Sequence, residues 1–180
     1  MNDSGEGTGQ APRSRRADAR RNKETLLNAA AEVFVTSGVE APVRDIAAKA
    51  GVGLGTIYRH FPTRADLIVA VYRHQVEACA EAGPALLASS PTPYAALGQW
   101  IDLFVDFLVT KHGLSGGEAL HKYFLDQLLP VCDELLTAAG ITDVQALEFM
   151  HAIGNLCIGG TDERYDARRM VALFLAGVTA

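Results

Sequence analysis

The sequence predicts an all-α protein: a three-helix unit near the N-terminus, with a helix-turn-helix inside it, followed by a C-terminal antiparallel helical domain. Three observations carry that expectation. Apolar residues recur at spacings of three and four along most of the 180 residues, and no run alternates with the two-residue period of a strand. Glycine and proline punctuate the chain at intervals of helical length. With 49% hydrophobic and 21% charged residues, the chain can bury a substantial core, which argues against disorder throughout.

The first helix is expected from about Lys23 to Ser37, where Leu26, Ala30 and Phe34, joined by Leu27 and Val33, share one face, and Gly38 stops it. A second, "VRDIAAKA", follows Pro42, a residue suited to a first helical turn, and ends at Gly51. A third spans about Leu54 to His60 and closes at "FPT", because proline disfavours helical geometry in the residue before it. Thr63 with Asp66 forms a capping box that starts a fourth helix running towards Cys79. "GPALLASSPTP" reads as a connection between two parts of the molecule, or as a helix end plus a turn. Beyond it, helices are expected from about Tyr94 to Lys111, Glu118 to Phe124, onward to about Ala138, Asp143 to Cys157 and Glu163 to Val178, with loops short enough for an antiparallel bundle.

Charge divides the chain. Residues 1 to 76 hold 11 Lys/Arg against 8 Asp/Glu, whereas residues 77 to 180 hold 5 against 13. One part can approach a polyanion and the other would be repelled by it. Residues 1–21, with Arg13, Arg15, Arg16, Arg20 and Arg21, read as a disordered basic arm; residues 22–66 as the helix-turn-helix domain; and residues 67–180 as the helical domain. The most apolar stretch, "WIDLFVDFLV", is broken by Asp102 and Asp106 well short of a membrane span, so a cytoplasmic protein without membrane partners is expected. Cys79, Cys132 and Cys157 are widely spaced and form no CxxC pair, which suggests buried thiols; no metal site and no cofactor is expected.

The stretch from Val43 to Phe61 carries the chemistry. Ile46, Ala50, Val52 and Ile57 supply apolar contacts between two short helices, Ala47 is small enough for a close crossing, and Gly51 sits at the sharp turn. In "GVGLGTIYRHF" the polar residues Tyr58, Arg59 and His60 are poorly suited to a core, but well suited to a short helix laid in a DNA major groove. Leu54, Gly55 and Thr56 lie at its start, where backbone N–H groups favour phosphate and the threonine can meet a base edge. Arg64, at the start of the next helix, would meet flanking backbone. The candidate DNA-binding residues of the motif are therefore Leu54, Gly55, Thr56, Tyr58, Arg59, His60 and Arg64, to which the family resemblance below adds Arg44.

At these residues the chain resembles the TetR family of bacterial transcription regulators. The segment "VRDIAAKAGVGLGTIYRHFPTRADLI" is similar to that family's DNA-binding segment almost throughout, and "LLNAAAEVFVTSGVE" resembles its first helix. The likeness covers about Glu24 to Tyr72. It implies an all-helical homodimer whose N-terminal domain binds double-stranded operator DNA and whose C-terminal domain binds a small-molecule effector and dimerises. The implied function is ligand-responsive repression at a palindromic operator. One departure stands out: many relatives carry Thr or Ser before the second helix, where this chain has Ala41 and Pro42. A hydroxyl cap and phosphate contact is missing there, which puts more weight on Arg44.

Beyond the motif, the resemblance concerns architecture. Trp100, Phe104 and Phe107 form one aromatic stripe, which serves either as core or as the wall of the implied cavity; His121, Phe124 and Leu128 join the candidate lining. Met150, Ile153 and Cys157 on one late helix, with Val171, Phe174 and Val178 on the next, suit either a four-helix dimer interface or packing within one chain. Two glycine patterns imitate enzyme motifs. "GLSGG" has the letters of a nucleophile elbow at Ser115 but no strand entering it, and "GVGLGT" lacks both the strand and the lysine of a phosphate loop. A helical enzyme or small-molecule carrier with a vestigial DNA-binding head is the competing reading; an intact reading helix speaks against it. Asp102 and Asp106, one turn apart, read as a solvated face or as a pair attracting a cationic ligand.

Overall fold

The computed structural model describes residues 11–111, 117–158 and 164–178. Eight helices are present among the described residues: α1 (Ala11–Ser37), α2 (Val43–Ala50), α3 (Leu54–His60), α4 (Arg64–Ser89), α5 (Pro93–Lys111), α6 (Gly117–Ala138), α7 (Ala146–Cys157) and α8 (Ala167–Val178). No described residue lies in a strand. None of the helices is long and apolar enough to cross a membrane among the described residues.

Two hydrophobic cores form. The smaller gathers Leu26, Ala30 and Phe34 of α1, Ile46 and Ala47 of α2, Ile57 of α3 and Phe61, and it closes over Leu67 and Val71 of α4. The larger takes Tyr72, Val76 and Cys79 of α4 and fills with side chains of α5 to α8. The neighbours Val71 and Tyr72 thus point into different cores, and α4 runs unbroken across the boundary expected after residue 66. One rigid helix belongs to both parts.

Local chemistry explains most element ends. Gly51 adopts φ 67°, and its N–H reaches the carbonyls of Ala47 and Ala48, which ends α2 where a side chain would be strained. Pro42 caps α2 without a side-chain hydrogen bond, as the Ala41–Pro42 departure implies. The Thr63–Asp66 capping box is formed: Asp66 N donates to Thr63 Oγ1 at 3.1 Å, and Thr63 N donates to Asp66 Oδ2 at 2.9 Å. A second box, Gln145 with Glu148, starts α7.

Several expectations are corrected. Helix α1 begins at Ala11, so residues 11–21 are helical and not a disordered arm. Arg and Ala are strong helix formers, and the pairs Arg21–Asp18 (2.7 Å) and Arg20–Glu24 (3.1 Å), three and four residues apart, support the extension. Residues 1–10 lie outside the described residues. The "GPALLASSPTP" segment, by contrast, is the helix end plus a turn that formed the second of its two readings: α4 continues through Pro84 to Ser89, and only Ser90 to Thr92 form the turn. Leu86 and Leu87 pack against the larger core, and that burial offsets the helix-breaking tendency of the proline. The two helices expected between Glu118 and Ala138 are one, because Leu120, Phe124, Leu128, Cys132 and Leu135 make a single buried stripe across the anticipated break. Helices α7 and α8 start at Ala146 and Ala167, later than expected.

Candidate nucleic-acid interface and cavity

Helix α3 rests on its support through a single buried side chain, Ile57, at 1% exposure. Everything else on it is open or half-open: Leu54 and Tyr58 are 45% and 48% exposed, Gly55, Arg59 and His60 are exposed, and Thr56 is half-buried. Two exposed large apolar side chains four residues apart are costly in water and useful against a partner's surface. A Cβ built at Gly53 or Gly55 meets nothing within 4 Å, so this end of the helix is uncovered. Arg44, on α2, is exposed and lies 3.5 Å from Asp45.

Arg64 departs from its expected role. At the first position of α4 it turns back to the α1–α2 loop, where its Nη2 donates to the carbonyls of Val39 and Ala41, the latter at 2.9 Å. Glu40 lies 3.9 Å from its Nε, and the side chain keeps only 32% exposure. The α1–α2 loop carries carbonyl groups that no helix satisfies, and the two N–H bonds of one guanidinium NH₂ serve two of them at once. Arg64 is therefore a tie that fixes the loop ahead of α2. The head is further braced by the Lys49–Glu32 ion pair between α2 and α1 and by Lys23 lying 6.0 Å over the Phe61 ring. Asn28 of α1 bonds His74 of α4 at 2.7 Å, on the seam between the head and the rest.

A cavity of about 370 Å³ opens between α5, α6 and α7. Phe104, Leu108, Phe124, Met150, Cys157 and Ile158 form its apolar wall, and His121, His151 and Asn155 supply polar atoms at the exposed edge. Of the six residues expected to line a pocket, Phe104, His121 and Phe124 do so. Trp100, Phe107 and Leu128 are instead core: Trp100 is fully buried and its Nε1 donates to the Cys79 carbonyl at 2.9 Å, while Phe107 meets Tyr72 edge-on at 5.1 Å. Asp102 and Asp106 face Arg168 of α8, so their charge is met within the chain. Burial pushes the Cys79 and Cys132 thiols up to about 12, which leaves them protonated and unreactive at neutral pH. Among the described residues no group of three or more His, Cys, Asp or Glu converges as a metal site would. Ser115 lies outside the described residues.

Comparison with known proteins gives this geometry a family. The sequence profile described as "Bacterial regulatory proteins, tetR family" matches residues 26–71. An uncharacterized HTH-type transcriptional regulator, TtgW of Pseudomonas putida, is 41% identical over 56 residues, covering 31% of this chain and 42% of its own length. The chain therefore aligns with under half of that curated relative. The crystal structure of the TetR transcriptional regulator SCO0520 from Streptomyces coelicolor is 32% identical, with 87% of this chain and 97% of that one covered and a TM-score of 0.71. This chain belongs to the TetR family of transcription regulators. At the level of fold alone, it also matches the TetR-like regulator LfrR from Mycobacterium smegmatis, solved in complex with proflavine, at 23% identity, 90% and 97% coverage and a TM-score of 0.64.

As a TetR-family member the chain is a DNA-binding transcription regulator and not an enzyme. Its late helices correct one further expectation. Met150, Ile153, Cys157 and Val171 are buried inside the chain's own core and are not available to a partner; Phe174 and Val178 are half-buried against the same core. The apolar side chains that α7 and α8 leave in solvent are Leu147, Ile158, Met170 and Leu173. On an amphipathic helix the more apolar stripe goes first to the chain's own core, which is where the expected interface residues lie. His151 and Asn155 of the cavity edge were not among the expected lining; their four-residue spacing beside Gly154 is the signal the sequence carries for them.

Proposed function

We propose that this TetR-family regulator binds a palindromic operator as a homodimer, represses transcription there, and is released by a small-molecule effector that enters the cavity between α5, α6 and α7. The observation that carries the proposal is the anchoring of α3: one buried residue beneath, and Leu54, Gly55, Tyr58, Arg59 and His60 open to solvent. Those residues, with Thr56 and Arg44, would read and grip the major groove. Arg64 positions α2 through the loop and does not itself touch DNA. The basic first turns of α1 add sequence-independent attraction. The reading head extends through Val71, and the ligand-binding and dimerisation part takes the remainder of α4 and the helices that follow. Leu147 of α7 and Ile158 just past its end, with Met170 and Leu173 of α8, form the dimer face, which would bring four helices together. The place of action is the cytoplasm, where its DNA lies.

Release needs an effector that binds better to a conformation in which the two heads are wrongly spaced. Helix α4 supports such coupling, because it contributes Leu67 and Val71 to the head and packs against α5 and α6, two of the helices that bound the cavity. The fold-level neighbour LfrR, which holds proflavine, lends support to a small molecule within this architecture. The test is a selection of bound duplexes from random DNA with the full chain, repeated with candidate effectors. The expected result is a symmetric site with half-sites about one helical turn or more apart. Recovery of an asymmetric single half-site would reject the dimeric operator, and failure to enrich any sequence would reject specific reading.

A further inference from the structure

We propose that the cavity takes a flat aromatic molecule with a neutral or anionic hydrogen-bonding end and discriminates against organic cations of the same shape. This deepens the effector reading above and rests on it.

Four aromatic rings stand in series from the core to the cavity. Trp100 lies over Phe104 at 5.4 Å and 10°, Phe104 against Phe124 at 6.0 Å and 19°, and Phe124 against His121 at 6.0 Å and 23°. These nearly parallel rings run from the deepest part of the core to the cavity edge, and the last three line the cavity. A flat ring entering beside them finds faces already aligned for offset stacking. Gly154 of α7 leaves the space open opposite: a Cβ built there meets nothing within 4 Å.

Polarity is graded in the same direction. The inner wall is apolar, and the one polar atom of Trp100, at the inner end of the ring run, is already bonded to the Cys79 carbonyl. Hydrogen-bonding capacity sits at the exposed edge, on His121, His151 and Asn155. The occupant must therefore point its ring inward and its polar group outward.

Charge decides the sign of that group. No described residue of the lining is a carboxylate. The nearest candidates on α5, Asp102 and Asp106, are engaged by Arg168. An ammonium or amidinium would shed water on entry and meet no carboxylate among the described lining residues, whereas a carboxylate or phenol would meet imidazole N–H and amide NH₂ donors.

Three probes with one body separate these cases: 2-naphthoate, 2-naphthol and 2-naphthylmethylammonium, titrated calorimetrically into the full chain near neutral pH. The expected order places naphthoate and naphthol at least about tenfold tighter than the ammonium. Gly154→Phe should plug the open space and weaken all binding by about tenfold or more without lowering the unfolding temperature. The double variant His151→Leu with Asn155→Leu should bring naphthoate and ammonium to within about twofold of each other, and it serves alone if the plugged variant does not fold. Equal or tighter binding of the ammonium overturns the proposal. So does failure of all three probes to bind, or binding unmoved by either variant. If naphthoate behaves as expected yet leaves operator affinity unchanged, the effector reading fails and the cavity's preference stands. If only the ammonium releases DNA, the preference fails and the effector reading stands.

Discussion

The head and the bundle hold their helices by different means. Among the described residues the head's core has twelve buried members, only Phe34 and Phe61 of them aromatic, while the bundle's has twenty-four, including Trp100, Tyr72 and four phenylalanines. Most of the stability from burial therefore lies in the bundle. The head depends more on particular groups at particular places: Gly51 at positive φ, the Thr63–Asp66 box and the Arg64 tie. The side chains proposed for DNA and effector follow the same division. In the head they stand on a helix held by one residue, and in the bundle they line a space left between large side chains.

The contrast is sharpest at high pH. Tyr72, Cys79 and Cys132 all belong to the bundle, and burial raises each pKa to about 12, from 10.0 for the tyrosine and 9.0 for the thiols. In the unfolded chain these groups release their protons first, so the folded state holds more protons between about pH 9 and 12. Stability is intact below that window and falls as pH rises through it. Loss of the bundle's near-ultraviolet circular dichroism in that range is expected to be the largest effect of any predicted here. A bundle that keeps its urea midpoint up to pH 12 would show that these side chains are hydrated after all.

Next in size is Phe149→Ala. Phe149 is fully buried and meets Phe174 at 5.6 Å, so its removal should cost about 3 to 5 kcal/mol of unfolding free energy. The emission of Trp100, the single tryptophan, reports on the bundle directly. DNA affinity per folded molecule should be unchanged. A specific loss of DNA affinity would mean that the two parts share more than α4.

Arg64→Ala inverts that pattern. It removes a charged donor from two loop carbonyls, an effect of about 1.5 to 3 kcal/mol that should fall on the head. Trp100 emission should keep its midpoint, while hydrogen exchange in α2 quickens and operator affinity drops. Arg64→Lys should restore only part, since an ammonium cannot reproduce the planar fork. Full restoration by lysine would reduce the tie to simple charge.

Gly83→Ala probes the α4–α6 contact. A Cβ there would stand 2.2 Å from Val131 Cγ1, an overlap that forces one helix to shift. The expected cost is about 1 to 3 kcal/mol, relieved when Val131→Ala is added. If the double variant is no better than the single, the close approach is not what constrains the glycine.

How much of this was legible follows from the same division. Every boundary in the head from Gly38 to Asp66 could be read, because each is set by one residue's backbone chemistry: a glycine, a proline or a capping box. In the bundle Pro84 masks the length of α4, since burial of Leu86 and Leu87 carries the helix through it, and the Leu120 to Leu135 stripe joins what reads as two helices into α6. The cavity was half legible for a related reason. Periodicity marks Phe104, Phe124 and Trp100 as apolar alike, and only the packing tells a wall from a core. The Arg64 tie was not legible because its partners, Val39 and Ala41, are backbone carbonyls more than twenty residues away that no side-chain pattern announces.

The smallest effect on stability, and the finest test of the division, comes from neighbours on α3. Tyr58 is 48% exposed and Ile57 is 1% exposed, one residue apart. Tyr58→Ala should leave unfolding within about 0.5 kcal/mol of the parent chain, because it removes no buried contact. Specific operator binding should nonetheless weaken by about 1 to 3 kcal/mol, with little change for unrelated duplex, if Tyr58 meets base edges or the adjoining phosphates. Equal weakening on both duplexes would assign Tyr58 to the phosphate backbone alone. An unchanged affinity for the mapped operator would remove it from the interface, and an exposed aromatic ring would then have to be explained by a different partner.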